Sequence, residues 1–168
     1  MSTLFRAWDP RELRHVFGHH PTGVCAITAV DDQQPVGMAV GSFTSVSLNP
    51  PLVAFQPDKS STSFPCIRRA GSFAVNVLSS DQENICRTFA TKGGDKFAEL
   101  AWTPSKITGS PILEDIVAWV DCRIESVIEA GDHYIVLGRV LGLAVVRDTS
   151  PMVFFQGGYG SYADLPSQ

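Results

Sequence analysis

Apolar and polar positions in this chain alternate more often than they cycle, and the pattern predicts strands through most of its length. The run TGVCAITAV from Thr22 to Val30 is apolar and β-branched, Asp31-Asp32-Gln33-Gln34 interrupts it, and a second extended stretch begins at Pro35. Two extended runs parted by a short polar break predict a hairpin, although no Asn-Gly is present to fix its turn type. The stretch from Gly37 to Leu48 reads as one long strand ended by Asn49-Pro50-Pro51, and LVAF at 52–55 as a shorter one. SFAVNVL at 72–78 alternates as a strand. In 117–129, Val120, Cys122, Ile124 and Ile128 alternate with Asp121, Arg123, Glu125 and Glu129, which predicts one buried and one solvated face. Gly131-Asp132 makes a turn, 133–146 a long strand, and 151–155 a last one.

Helical punctuation is confined to three places. Asp9-Pro10-Arg11-Glu12 supplies an N-cap, a proline at the first helical position and an acid two residues on. Leu13, Val16 and Phe17 mark one face of this helix, Gly18 stops it, and it is expected to lie across one end of the sheet. Residues 60–70 predict a serine-capped helix with Phe64 and Ile67 inward, ended by Gly71. Asp81 is read as the cap of a third, with Ile85 and Phe89 inward. The glycines and prolines of 91–111 predict an irregular excursion. Six or seven strands with short turns and two or three helices make the expected fold mainly β, an antiparallel β-barrel formed as a single domain over 1–168.

Composition narrows the function classes. With 44% apolar and 18% charged residues the chain is globular rather than disordered. Its net charge of −4, with no basic run longer than Arg68-Arg69, argues against nucleic acid or an anionic membrane as partner. MSTLFRAWDPREL has no apolar leader core and no apolar run reaches membrane-spanning length, so a cytoplasmic location is expected. Cys25, Cys66, Cys86 and Cys122 form no CxxC pattern and are read as reduced thiols. No carboxylate or cysteine stands at helical ligand spacing from His19-His20, which are read as exposed loop residues, and no metal site is expected.

The chain has no G-x-G-x-x-G, Walker, G-x-S-x-G or H-E-x-x-H motif. Its conspicuous segment is Gly41 to Ser47, rich in small and hydroxyl residues that make a poor core strand. Two readings stay open on spacing alone: an edge strand that another backbone approaches, or a platform on which a ligand lies flat against N–H groups and short hydroxyls.

The order of several segments carries a resemblance. PTGV at 21–24, VGMAVGSFTSVSLNPPLVAF at 36–55, SFAVNVL at 72–78, FA…DKFAEL…W at 89–102, GSPILED at 109–115, GDHYIVLGRV at 131–140 and GGYGSY at 157–162 together resemble the flavin reductase-like family. These are the small reductase components of two-component flavin-dependent monooxygenases. The resemblance implies a split β-barrel of Greek-key type and a homodimer with flavin near the subunit interface. It also implies NAD(P)H:flavin oxidoreductase activity, with reduced FMN or FAD consumed by a separate oxygenase. It places Gly41, Ser42, Phe43, Ser45, Val46 and Ser47 against the isoalloxazine and ribityl chain. Lys59, Ser61 and Ser63 fall at the ribityl-phosphate end, and Phe89, Ala90 and Lys96 close that side. His133 falls beside flavin and nicotinamide, as the catalytic candidate, and Tyr159 near the nicotinamide. Lys59 reads equally as a solvated loop lysine, Phe89 as the inner face of its helix, and His133 as a turn residue. No evident arginine cluster marks a 2′-phosphate pocket, which favours NADH over NADPH. The rival readings are a flavin-binding electron carrier without turnover and a barrel relative of the pyridoxine-phosphate oxidase kind.

Overall fold

Turn and cap residues set the element boundaries in the computed structural model, which describes residues 7–166. Residues 1–6 of the amino-terminal stretch read above for the lack of a leader lie outside the described residues. Three helices, α1 (Pro10–Phe17), α2 (Phe64–Ala70) and α3 (Glu83–Ala90), accompany twelve strands. The strands are β1 (Thr22–Gly23), β2 (Cys25–Asp31), β3 (Gln34–Val40), β4 (Thr44–Leu48), β5 (Pro51–Phe55), β6 (Ser72–Val77), β7 (Trp102–Pro104), β8 (Pro111–Leu113), β9 (Ala118–Ala130), β10 (His133–Val145), β11 (Met152–Phe155) and β12 (Gly158–Ser161).

Asp9 caps α1 as its sequence predicts, accepting from the Arg11 N–H at 2.8 Å. The β2–β3 hairpin turns on Asp32 and Gln33 at φ 48° and 63°. Both central residues are left-handed, so this is the type I′ geometry that matches strand twist, reached here without a glycine. Gly71 ends α2 at φ 71°, the left-handed cap that costs glycine nothing. The third helix departs from expectation. Asp81 does not cap it; its carboxylate accepts from Ser79 Oγ and from Arg147 at 3.0 Å, and α3 starts only after Gln82, whose amide oxygen accepts from the Ser79 N–H.

Seven strands form one antiparallel sheet in the order β3-β2-β6-β9-β10-β5-β4. The β9–β10 hairpin is inserted between β5 and β6, which are neighbours in the chain, giving the Greek-key crossing. The outermost strands β3 and β4 are also neighbours in the chain, separated only by residues 41–43. Such a link reaches about 13 Å from the last residue of β3 to the first of β4. The two edges of the sheet therefore meet, and it curls into a barrel closed by this link rather than by a ladder. The single long strand expected from Gly37 to Leu48 is thus two strands on opposite edges. Ser42 Oγ marks the break: it accepts from the Gln56 N–H at 2.9 Å and donates to the Gln56 carbonyl.

Both faces of the central strands are covered, which is why alternation misleads there. Cys25 and Ile27 of β2 pack inside the barrel with Phe55, Phe73, Val75, Cys122 and Val136, and Phe64 and Ile67 of α2 plug it. Val24 and Ala26 point the other way, into a second cluster with Leu78, Cys86, Phe89, Phe97 and Met152. The expected solvated face of 117–129 holds at Arg123, Glu125 and Glu129, which are exposed, and fails at Asp121. Asp121 is fully buried, because the segment holding Ser105 and Thr108 folds over it and both hydroxyls donate to its carboxylate. Ile128, near the tip of the β9–β10 hairpin, is exposed. The excursion at 91–111 supplies strand β7, which pairs with β8. Helix α1 buries none of its residues, and its Phe17 is 67% exposed.

One glycine shows how tight the barrel is. A Cβ on Gly138 would stand 2.5 Å from Phe73 Cζ and 3.2 Å from Cys122 Cβ. Gly138→Ala is expected to destabilise the fold by about 1–3 kcal/mol, the usual cost of overpacking. Urea unfolding checks this: the midpoint falls with the slope unchanged, and a parental midpoint would show that Phe73 has room to yield.

Candidate functional site

The loop between β5 and α2 is built to present hydroxyls. Asp58 Oδ1 accepts from the Ser60 N–H at 2.6 Å, folding the loop back on itself, and this bond holds the Asp58 carboxyl below the usual range. The Lys59 N–H donates to the Asp132 carbonyl, the Tyr134 N–H to the Pro57 carbonyl, and Asp58 bridges to His133, so the loop is sewn to the start of β10. Ser63 stands at the N-cap of α2, the serine the sequence reading expected there, but its side chain makes no cap bond; the Phe64 N–H donates instead to Ser61 Oγ at 3.2 Å.

Asp58, Ser60, Ser61, Thr62 and Ser63 of this loop then line a cleft of about 210 Å³ together with Met38 and Ala39 of β3 and Phe89, Ala90, Thr91, Lys92 and Lys96. Lys96 Nζ donates to the Gly37 carbonyl at 3.1 Å, the Phe89 carbonyl at 3.1 Å and Ser63 Oγ at 3.3 Å. Its partial burial lowers its pKa. Lys92 Nζ donates to Ser60 Oγ at 3.4 Å. Two ammonium groups facing a run of hydroxyls suit a phosphate.

Ala39 and Ala90 also border a second recess of about 180 Å³, lined by Val24, Val40, Gly41, Cys86, Phe154 and Tyr159. Sharing Ala39 and Ala90, the two recesses lie side by side as a groove with a lysine- and hydroxyl-rich end and an apolar end. Gly41 is fixed by its neighbour: a Cβ there would lie 2.8 Å from Thr22 Oγ1. Such a groove fits a planar ring system that carries a phosphorylated tail.

Comparison with known proteins bears on the same point. Residues 17–163 match the Flavin reductase like domain. A flavin reductase of Pseudomonas putida is 59% identical over 95% of this chain and 94% of its own. Among solved structures, a homologue of nitrilotriacetate monooxygenase component B from Mycobacterium thermoresistibile superposes with a TM-score of 0.89 at 40% identity, covering 94% of this chain and 90% of that one. An NADH:FAD oxidoreductase of Streptomyces globisporus, solved with NAD and FAD fragments, does so with a TM-score of 0.88 at 36% identity, covering 97% and 100%. The chain belongs to the flavin reductase-like family. Its barrel is the family's split barrel.

Of the residues that the family resemblance nominates, Ser61, Ser63, Phe89, Ala90 and Lys96 line the first cleft, and Gly41, Ala90 and Tyr159 the second. Ser42 and Phe43 lie in the closing link, where Phe43 packs against the barrel core. Ser45, Val46 and Ser47 stand on the solvent edge of β4, outside the groove. Lys59 also lies outside: its Nζ donates to Glu129 at 2.9 Å and sits 5.4 Å above the Tyr134 ring. His133 is half-buried at the rim beside Asp58, with Nδ1 2.7 Å from Asp132 Oδ1. The sequence reading missed Lys92, Ser60 and Thr62. Lys92 shares the glycine-rich run KGGDK with Lys96, and both hydroxyls belong to the run KSSTS, so the signal was local and present.

Tyr159 and Cys86 are the titratable groups of the apolar end, and the pKa of each is raised above its ordinary value. The hydrogen bond of Tyr159 with Cys86 (3.3 Å) and its burial push the phenol up to about 12, against the ordinary 10.0. A folded-state pKa above the unfolded one adds stability below the unfolded value and loses it as pH rises through the folded one. Spectrophotometric titration of the three tyrosines is expected to show one phenolate forming near pH 12, and Cys86→Ala to bring it back towards 10. A titration unmoved by Cys86→Ala would remove the thiol as cause.

Proposed function

We propose that this chain transfers hydride from NADH to FMN or FAD held in the groove and releases the reduced flavin to a separate flavin-dependent monooxygenase. The observation that carries this is the adjacency of the two recesses across Ala39 and Ala90, which sets the Ser60–Ser63 hydroxyls with Lys92 and Lys96 beside the apolar surface at Gly41 and Tyr159. It is a flavin reductase, an oxidoreductase, and works as one domain. When bound, the flavin and the nicotinamide supply the redox chemistry, a hydride passing from one ring to the other. The protein's own residues do the rest. Lys92, Lys96 and the loop hydroxyls anchor the phosphate and so fix the ring's position along the groove. Ala39, Gly41 and Ala90, with little side chain to obstruct a planar group, would hold the ring where a second ring could meet it. His133 at the rim offers a donor toward charge that develops in the transition state.

The working form is a homodimer with the flavin near its interface. Exposed Val46 and Leu48 of β4, the latter 93% exposed, and Leu141, Leu143 and Val145 of β10 support this, because so much apolar surface is seldom left in water. A second copy over β4 would also bring Ser45, Val46 and Ser47 to a flavin edge. Four unpaired cysteines fit a reducing, cytoplasmic setting; among the described residues no helix is long and apolar enough to cross a membrane.

Mixing the protein with excess NADH and free FMN or FAD under anaerobic conditions tests the activity. The flavin absorbance is expected to bleach over many turnovers; loss of a single equivalent would leave only an electron carrier. In stopped flow His133→Ala is expected to slow this reduction by about ten- to a hundredfold, the worth of one positioned donor, with flavin affinity near parental. A parental rate would leave His133 as a turn residue. Lys92→Met is expected to raise the KM for FMN about tenfold and to leave riboflavin, which lacks the phosphate, nearly unchanged. Equal losses for both would move the phosphate elsewhere.

A further inference from the structure

A second basic feature lies apart from the lysine end of the groove. The chain is acidic overall, yet Arg11, Arg14, His15 and His19 converge on a recess of about 730 Å³ between α1 and the β11–β12 turn. Phe154, Gln156 and Gly157 form the opposite wall, and no carboxylate lines it. Arg11 and Arg14 are three residues apart and share a helix face. The fold uses them little. Arg11 has only a long, exposed ion pair, with Asp9 at 4.0 Å and its own side chain 91% exposed, and Arg14 makes no side-chain hydrogen bond or ion pair among the described residues. His19 is positioned there by its own Nδ1–H, which donates to the His15 carbonyl at 2.8 Å. Unspent guanidinium groups in an acid-free recess are a receptor for an anion, and their forked donors suit phosphate oxygens.

The recess adjoins the apolar end of the groove. Phe154 belongs to both linings, and its ring lies 5.3 Å from that of Tyr159. In the reductase reading two cofactors share the groove. The flavin's phosphate takes the Lys92–Lys96 end, so a nicotinamide stacked at the other end has to lead its own diphosphate out past Phe154. We propose that the recess between α1 and the β11–β12 turn binds the diphosphate of the reduced nicotinamide cofactor, with Arg11 and Arg14 as its charge partners. This rests on the reductase reading. It assigns a recognition role to the amino-terminal helix, whose surface the core does not use, and it makes the site indifferent to a 2′-phosphate.

The test is the double variant Arg11→Gln/Arg14→Gln in steady-state flavin reduction, together with calorimetric binding of ADP-ribose, the cofactor without its nicotinamide. The KM for NADH is expected to rise, and ADP-ribose binding to weaken, by about tenfold or more. The kcat should stay within about twofold and the flavin affinity at the parental value, as expected when only uniform binding is lost. Added salt should raise the parental KM and change that of the variant less. Failure of the parental protein to reduce flavin with NADH would overturn the reductase reading itself. A parental protein that turns over, beside a variant with unchanged KM and ADP-ribose affinity, would overturn this site alone. So would a penalty seen with NADPH but not NADH, which would assign the arginines to a 2′-phosphate. So would a variant whose only change is its mass by light scattering, which would make the face a subunit contact.

Discussion

The whole molecule depends on a distance. Strands β3 and β4 occupy opposite edges of a seven-stranded sheet, and three residues join them. A sheet that must bring its edges within so short a reach cannot stay open. It rolls into a cylinder, fills it with Phe55, Phe73 and Val136 from the sheet, and takes Phe64 and Ile67 of α2 as a plug. The same link carries Gly41, which Thr22 leaves no room to enlarge and which forms part of the groove wall. Closure of the barrel and placement of the site are thus one event.

The other side of the groove is held by a single ammonium group. Lys96 bonds β3 through the Gly37 carbonyl, α3 through the Phe89 carbonyl, and the hydroxyl loop through Ser63. These elements belong to separate stretches of chain, and their separation sets the width of the cleft. Gly37 contributes by omission: a Cβ there would come within 2.3 Å of the Phe89 ring, so its absence lets α3 lie close against β3. The cation that can meet a phosphate is also the one that fixes how far apart the walls stand.

Much of this was legible in the sequence, and the limits have physical causes. Caps and turns are local, so Asp9-Pro10, Gly71 and the 31–34 break were read correctly. The one-strand reading of 37–48 failed because nothing local tells a chain that crosses from one sheet edge to the other from a chain that runs straight; the break is made by Ser42 meeting Gln56, fourteen residues away. Asp121 was assigned to water because its covering segment, 105–110, lies elsewhere in the chain. Lys59 was nominated as a phosphate partner and Lys92 was passed over. Only the fold shows that Glu129 occupies the first and that the second faces the hydroxyls. Arg11, Arg14 and His19 read as scattered surface residues until the β11–β12 turn is brought up against α1.

The thiols described above have a bearing on durability. A protein that releases a reduced, oxygen-sensitive carrier works beside a source of peroxide, and sulfur is attacked chiefly as exposed thiolate. Cys86 forms part of the groove wall itself, yet it is buried, and burial raises its pKa above the ordinary cysteine value. Cys25 and Cys122 are pushed up to about 12 inside the barrel. The residues nearest the chemistry are therefore kept in their least oxidisable form, and the same packing that shapes the groove protects it from its own product.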